Sequence, residues 1–466
     1  MGQDFHFGGG AAGSTMHPVV MVLVLIVSVG VLILPRRLAF APVLFIAFLT
    51  PFGEQLYVGG FHFYTIRIVI LAGCARLVWV KASSSKPLFG VGLSPIDRTF
   101  FLWAFFRAVT FILLYRAGGA VIAQIGFWLD AYGGYMLFRY FIQDKEDIFR
   151  AVKTMSIIAA ILAPCMLFEY LTHINVFNFI STNPIVPWVR EGRFRAQGTF
   201  TENSITAGAF GAVLLPLFYW LWKSGKGKLA GIIGLAASTV IVFTSVASTA
   251  AMAYLGAIFA LLLWPIRNRM RTVRWSTVLA VICLALVMKA PVWFLIARVD
   301  FVGGHGWDRA EMIDVTIRHF PDWWLLGSKD NATWGNDTWD SVNQFVAEAL
   351  TGGLISLVLF VTLITRGFSL IGIARKYSEG ERDTEWFYWC LGAALFANLM
   401  AFTGVDYMDM MEDWWFIFLA IISAATIPAW APKTIEEAQS YVGFPQLPFT
   451  TSLPPAPLLG RSRLPR

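Results

Sequence analysis

The chain has 466 residues, of which 57% are hydrophobic and only 14% charged, and its mean hydropathy is +0.64. This composition excludes a disordered, collagen-like or coiled-coil protein and indicates a chain that folds within a lipid bilayer. The net charge of +7 does not indicate a nucleic-acid partner, because the cations lie in short loops between apolar runs. Four cysteines fall inside apolar runs and are predicted to be small buried hydrophobic residues, not disulfides or metal ligands.

Apolar runs of the length needed to cross a bilayer recur along the chain. A helix needs about 20 mostly apolar residues to cross ~30 Å of hydrocarbon. The sequence therefore predicts an all-α polytopic integral membrane protein with about 12–13 transmembrane helices. The runs lie at residues 18–35, 37–50, 62–80, 98–115, 118–141, 149–172, 203–222, 228–245, 247–265, 275–295, 341–364, 385–404 and 413–430.

The basic residues sort the loops into two alternating sets. One set carries the cations, whereas the short loops at 51–61 and 405–412 contain no Lys or Arg. The positive-inside rule puts the basic set in the cytoplasm, so that the N-terminus is periplasmic and the C-terminus cytoplasmic. We expect a disordered outer segment at 1–16, a transmembrane domain at 17–430 and a Pro-rich disordered cytoplasmic tail at 431–466.

Two outer loops, at 173–203 and 297–340, are longer than connections between packed helices usually are. The first contains Arg190, Arg193 and Arg195 just before a predicted helix. Guanidinium groups beside a helix N-terminus favour a bound phosphate. The alternative is that these arginines pair with lipid headgroups or with neighbouring glutamates.

The second long loop is rich in tryptophan and carboxylate residues. Trp307, Trp334 and Trp339 lie near Glu311, a mixture that suits a carbohydrate because indole faces stack on sugar rings. The alternative is an aromatic belt at the membrane interface, which is common for tryptophan in membrane proteins.

Two charges fall inside predicted spans. Arg107 and Asp130 differ in depth by about 4.5 Å when measured from the intervening turn, so they are predicted to form a buried ion pair. A proton or ion relay is the alternative.

No nucleotide, zinc-protease or serine-hydrolase motif is found, and we expect no metal and no cofactor.

Three segments, taken in order, resemble the O-antigen ligase/polymerase family of bacterial membrane proteins. They are Arg195-Ala-Gln-Gly198-Thr-Phe-Thr-Glu-Asn203, the stretch from Asp308-Arg309 through Phe320-Pro321 to Leu326-Gly327, and Asn343-Gln-Phe with Gly353-Leu-Ile-Ser356. The resemblance covers roughly residues 190–365 and implies a GT-C-like fold. The ligase branch has a histidine before the asparagine, where this chain has Val342, so the resemblance favours the polymerase branch.

The resemblance implies transfer of a glycan from undecaprenyl pyrophosphate to an acceptor glycan on the outer face of the bacterial inner membrane. Other polysaccharide assembly and export proteins would be possible partners. Polymerisation of repeat units is the favoured activity, with ligation to a lipid A-core acceptor as an alternative. A transporter or flippase of lipid-linked sugars is an alternative from another class.

This reaction assigns roles to residues of the two outer loops. Asp340, Arg309 and Arg195 are the catalytic candidates, with Asp340 as the favoured base in place of the missing histidine and His305 or Glu311 as alternatives. The pyrophosphate-binding candidates are Arg190, Arg193, Arg195, Arg298, Arg309 and Lys289. The sugar-binding candidates are Trp307, Trp334, Trp339, Glu311 and Asn343.

Overall fold

The computed structural model of the chain describes residues 13–84, 88–89, 91–190, 192–200, 203–298, 306–335, 338 and 341–431. Helices dominate this part of the chain. They are α1 (Pro18–Ile33), α2 (Arg36–Leu49), α3 (Thr65–Ser83), α4 (Pro95–Tyr115), α5 (Gly118–Trp128), α6 (Tyr135–Phe141), α7 (Lys145–Thr172), α8 (Ser204–Lys223), α9 (Lys228–Ser245), α10 (Ser248–Leu262), α11 (Met270–Val287), α12 (Gly306–Arg318), α13 (Phe320–Trp323), α14 (Gln344–Tyr377), α15 (Arg382–Phe402), α16 (Met410–Ala425) and α17 (Ile427–Trp430).

Every predicted apolar run overlaps a helix, with α5, a π-helical turn at Leu129–Gly134 and α6 forming one continuous segment. Among the described residues, six helical segments are long and apolar enough to cross a membrane. They are α4, α7, α8, α9, α14, and α11 together with the 3₁₀ turn before it. The chain is thus a mostly helical protein suited to a bilayer. The full set of about 12–13 transmembrane helices stays a prediction.

Two short antiparallel hairpins depart from the all-helical expectation. The first pairs β1 (Gln55–Val58) with β2 (Phe61–Tyr64), and the second pairs β3 (Trp188–Arg190) with β4 (Arg193–Arg195). Both lie between helices in loops that were predicted to be on the outer side. In such short hairpins the backbone groups of loop residues form hydrogen bonds with each other.

The loops predicted to be cytoplasmic meet at one end of the bundle, which we call the basic end. Arg36, before α2, forms a 2.9 Å ion pair with Asp147 at the start of α7. Arg375, at the end of α14, contacts Glu385 of α15 at 2.7 Å. Arg267, after α10, contacts the same carboxylate at 2.8 Å.

The remaining loops meet at the opposite end, which we call the hairpin end. The Phe52 amide donates to the Thr199 carbonyl, and the Thr249 hydroxyl donates to the Gly404 carbonyl. The Asn343 amide donates to the Thr403 carbonyl. These contacts group the loops as the charges predicted, and the orientation of the chain in a membrane stays a prediction.

The core is centred on α8 and α16, whose residues are almost all buried. Glycines on α8 allow α9 to approach closely, since a Cβ at Gly211 would lie 2.8 Å from the Ile241 side chain. Helix α11 differs from both, because it has no buried residue and packs mainly on the 3₁₀ turns that flank it.

The cysteine prediction was wrong in part. Cys390 is buried, but Cys283 on α11 is exposed, and Cys74 and Cys165 are half-buried. The apolar runs that hold these cysteines are helices with a surface-facing side, so a position within a run does not ensure burial.

Candidate functional site

The β3–β4 hairpin gathers arginines on one face. Its register sets Arg190 opposite Arg193 and Trp188 opposite Arg195. Cross-strand partners share a face, as do residues two apart on a strand, so all three arginines lie on the same side. The Phe194 ring stacks on His173 from the other side, with ring centres 4.3 Å apart. Three positive charges on one face of the hairpin would attract an anion.

The segment after the hairpin is fixed by a buried carboxylate. Glu169 of α7 accepts hydrogen bonds from the Gln197 and Gly198 amides, at 3.2 and 2.8 Å. Gly198 has a φ of +61°, which glycine adopts readily, and its carbonyl accepts from the Asn175 side chain at 2.8 Å. Arg195 is only 4% exposed, so its side chain is buried among protein atoms, whereas Arg193 is exposed and Arg190 is half-buried.

Asn203 links the arginine loop to α8. Its side-chain oxygen accepts from the Thr206 amide at 3.2 Å and caps the helix. The N-terminus of this helix, with its partial positive charge, is thus fixed at the hairpin end, as the sequence motif indicated.

The second long loop contains the short helices α12 and α13. Arg309 on α12 is half-buried, and Glu311 lies next to Gly335. Trp334 stacks on His319 with ring centres 4.6 Å apart, whereas Trp307 is 62% exposed and contacts Phe294. The other candidates in this loop, His305, Trp339 and Asp340, lie outside the described residues.

Asn343 acts as the N-cap of α14. Its side-chain oxygen accepts from the Phe345 and Val346 amides, and its amide donates to the Thr403 carbonyl. The side chain is 3% exposed, so the structure gives it a capping role. Lys289 and Arg298, by contrast, are exposed on the segment that follows α11.

Helix α14 is broken at Gly353, which has a φ of +65°. The loop after α13 fills the break: the Leu354 amide donates to the Trp324 carbonyl, and the Ser328 amide donates to the Leu350 carbonyl. These two glycine-containing motifs of the sequence, around Gly327 and Gly353, therefore meet in space.

The predicted Arg107–Asp130 ion pair was wrong. Asp130 accepts three hydrogen bonds of 2.6–2.9 Å from Arg67 of α3, which also donates to the His62 carbonyl at 2.7 Å. Asp130 lies in the π-helical turn, which packs on α3. The sequence indicates only that Asp130 and Arg107 of α4 lie at similar depths. It does not indicate that the turn containing Asp130 packs on α3.

Arg107 instead faces two glutamates, with nitrogen–oxygen distances of 3.8 Å to Glu348 and 3.9 Å to Glu412. Glu348 is 1% exposed and accepts hydrogen bonds from Trp103, Ser356 and Gln344 at 2.8, 2.6 and 3.0 Å. Because Glu348 lies between Asn343 and the Gly353 break, the network joins α4 to the first part of α14.

The loop before α16 contains two acidic residues, one of which lies close to Val342. Ser341, next to Val342, donates to Asp406 at 3.0 Å. The Asp409 side chain reaches the surface, but protein atoms around its carboxyl group exclude part of the water. This partial loss of solvent, with the nearby Asp406 and Asp130 carboxylates, raises the pKa of Asp409 to about 7 against the opposing charge of Arg67.

Sequence reasoning missed Arg67, Glu348, Asp409, Glu412 and Asp413 as members of this polar region. The available signal was the presence of ionisable residues within or at the ends of apolar runs, since such residues are costly in a bilayer and usually have a function.

In comparisons with known proteins, the chain matches neither a family model nor a characterised protein.

Proposed function

We propose that this protein is a membrane glycosyltransferase that acts at its hairpin end, on the outer face of the bacterial inner membrane. Its donor is a glycan linked to undecaprenyl pyrophosphate, its acceptor is the hydroxyl of a second glycan, and the product is a longer surface polysaccharide. The N-terminus would be periplasmic, the chain multi-pass and the architecture GT-C-like.

The observation that carries this proposal is the arginine face of the β3–β4 hairpin. Glycan transfer from this donor leaves pyrophosphate, so negative charge develops on phosphate oxygens. Arg190, Arg193 and Arg195, on one face of the hairpin in the loop that leads into α8, would stabilise that charge without a metal. A fixed guanidinium group costs little reorganisation during the reaction, and Arg195 is held by a rigid segment.

The second loop would supply another cation and the sugar contacts. Arg309 lies on α12, which packs on the first part of α14 through Met312 and Val346. The exposed Trp307 offers an open ring face for a sugar. Asp340 stays the predicted base, and Asp406 joins it as a neighbouring carboxylate because of its contact with Ser341.

One observation favours a second candidate function, a transporter or flippase of lipid-linked sugars. Transporters often have broken helices and buried charges near the middle of the membrane. The Gly353 break and the Arg107–Glu348 contact are of this kind. In α14, however, the break is filled by backbone contacts from the loop after α13, which leaves the arginine face as the better support for a phosphate reaction.

The test is a transfer assay with the purified protein in lipid nanodiscs and a repeat unit linked to undecaprenyl pyrophosphate. Product length is measured on a gel, and release of undecaprenyl pyrophosphate by mass spectrometry. We expect Arg195→Ala to lower the rate by about 10²–10³-fold, because it removes a preorganised donor to developing charge. Arg195→Lys should retain part of the rate, because lysine keeps the positive charge but cannot bind a phosphate through two nitrogens.

Arg274→Ala controls for the loss of one positive charge, since Arg274 is an exposed arginine on α11. Wild-type rates for Arg195→Ala would refute the catalytic role of the hairpin. If the wild-type protein forms no glycosidic product but moves the lipid-linked glycan between leaflets of a proteoliposome, the transporter function is correct instead.

A further inference from the structure

An open cavity of about 390 Å³ lies at the basic end of the bundle, between the turn after α10 and the turn that joins α14 to α15. It contains charges of both signs, and the residues that line it are Trp264, Arg267, Glu379, Gly380, Arg382 and Glu385. None of them belongs to the arginine face of the β3–β4 hairpin or to the polar region around Arg107. The volume is at the small end of the range for ligand sites, which suits one lipid headgroup.

The inner wall of the cavity has an excess of positive charge. Glu385 is 4% exposed and accepts hydrogen bonds from Arg267 at 2.8 Å and from Arg375 of α14 at 2.7 Å. One carboxylate thus meets two guanidinium groups, which leaves one positive charge over in this cluster. The Arg267 guanidinium group also lies 4.1 Å from the centre of the Trp264 ring, so it is held from two sides. A guanidinium group that is fixed in this way favours the phosphate of a headgroup.

The rim of the cavity has one charge of each sign. Glu379 and Arg382 are both exposed, and in the part of the chain that the structure describes neither side chain forms a hydrogen bond or an ion pair. Gly380 lies between them with a φ of +100°, and a Cβ there would meet no atom within 4 Å. The turn therefore leaves an anion and a cation at the edge of an open space. A zwitterionic ligand complements both groups, whereas an anion complements only the arginine.

An apolar stripe on α10 leads to the cavity. Leu255, Phe259 and Leu262 are 50%, 55% and 69% exposed, and their spacing of four and three residues puts them on one face of the helix. The stripe ends just before Trp264, and tryptophan is common where a membrane helix reaches the lipid headgroups. Acyl chains that lie along this face of α10 would place their headgroup at the cavity, so the ligand comes from the bilayer.

We infer that this cavity binds the headgroup of phosphatidylethanolamine from the membrane leaflet at the basic end. Arg267 and Arg382 hold its phosphate, and Glu379 accepts hydrogen bonds from its ammonium group. Phosphatidylglycerol has the phosphate but no cation for Glu379, and a choline group has no N–H to donate to that carboxylate. The site does not depend on the reaction proposed above, because it lies at the other end of the bundle and requires only a bilayer.

The test compares phosphatidylethanolamine, phosphatidylglycerol and phosphatidylcholine with identical acyl chains. Each lipid is titrated onto the purified full-length protein in detergent, and bound copies are counted by native mass spectrometry. We expect the wild-type protein to bind phosphatidylethanolamine about tenfold more tightly than either of the other lipids. Glu379→Gln should remove most of that preference. Arg382→Ala should weaken the binding of all three lipids by about fivefold, because it removes a phosphate contact.

Glu381→Gln is the matched control, because Glu381 is an exposed glutamate of the same turn that does not line the cavity. It should change each affinity by no more than about twofold. Equal affinity of the wild-type protein for phosphatidylethanolamine and phosphatidylglycerol would overturn the inference, and so would an unchanged preference in Glu379→Gln. A competition with phosphoethanolamine, which lacks acyl chains, should displace no lipid at equal concentration. Displacement would make the ligand a soluble phosphate compound and would overturn the lipid assignment.

Discussion

The Arg67–Asp130 contact is an ion pair between two helical segments of the bundle. Each side chain is less than one-fifth exposed, and the guanidinium group meets the carboxylate through two nitrogens. Removing one partner of such a pair leaves a buried charge. We expect Asp130→Ala to lower the free energy of unfolding by about 3–5 kcal/mol, seen as a lower thermal transition in nanodiscs.

The double variant Arg67→Leu with Asp130→Leu tests the cause of that loss. It removes both charges and should recover most of the stability, because a buried pair contributes little beyond an apolar replacement. Arg318→Ala breaks an ion pair of which the arginine is 73% exposed, and it should change the transition little. A double variant as unstable as Asp130→Ala would show that the pair itself holds α3 to the π-helical turn.

Asp409 should make stability depend on pH. Its pKa is raised from 3.8 to about 7 on folding, so between these values the unfolded chain loses a proton that the folded chain keeps. Stability attributable to this group therefore falls as pH rises from about 4 to 7 and stays low above that. We expect Asp409→Asn to raise the thermal transition at pH 8 but not at pH 4.

Loss of solvent is the largest cause of the rise in the pKa of Asp409, and the charges that face this carboxyl adjust it. Asp130 from the π-helical turn and Asp406 from its own loop raise its pKa, whereas Arg67 from α3 lowers it. Asp409 also has a φ of +55°, which costs a non-glycine residue energy. Asp409→Gly should therefore stabilise the protein at both pH values, and an identical pH dependence in wild type and Asp409→Asn would contradict the assignment.

At the scale of elements, the break in α14 depends on one glycine. A Cβ at Gly353 would lie 2.7 Å from the Leu325 carbonyl oxygen, and its φ is unfavourable for any other residue. We expect Gly353→Ala to cost at least about 1–3 kcal/mol and to loosen the loop after α13, measured by thermal unfolding and by hydrogen exchange of the Leu354 amide.

Gly372→Ala is the control on the same helix. A Cβ there meets no atom within 4 Å, so the substitution should add up to about 1 kcal/mol through helix propensity. If both alanine variants have the same stability, the break at Gly353 is not required by the packing of the loop.

At the scale of the whole molecule, the two ends should face opposite sides of the membrane. Asn183 is exposed at the hairpin end and Glu379 is exposed at the basic end. In a variant without the four native cysteines, we expect a cysteine at 183 to react with an impermeant maleimide added to intact spheroplasts. A cysteine at 379 should react only after lysis. The reverse pattern would invert the orientation.

The helices could be predicted from the sequence because their cause is local. A bilayer of fixed thickness demands an apolar run of fixed length, and each run named from the sequence overlaps a helix. The distribution of lysine and arginine likewise predicted which loops share an end. The start of α8 after the arginines of the first outer loop could also be predicted, because the cap and the apolar run that follows it are local features of the sequence.

Only the tertiary structure decided which buried charges meet. Arg67 and Asp130 are 63 residues apart, and Trp103 and Glu348 are 245 apart, so their contacts depend on which helices become neighbours. The π-helical turn and the Gly353 break shift side chains relative to a regular helix, and the apolar pattern contains no sign of either. A buried charge takes the partner that packing brings to it, because the cost of leaving it unpaired in an apolar interior exceeds any preference set by sequence distance.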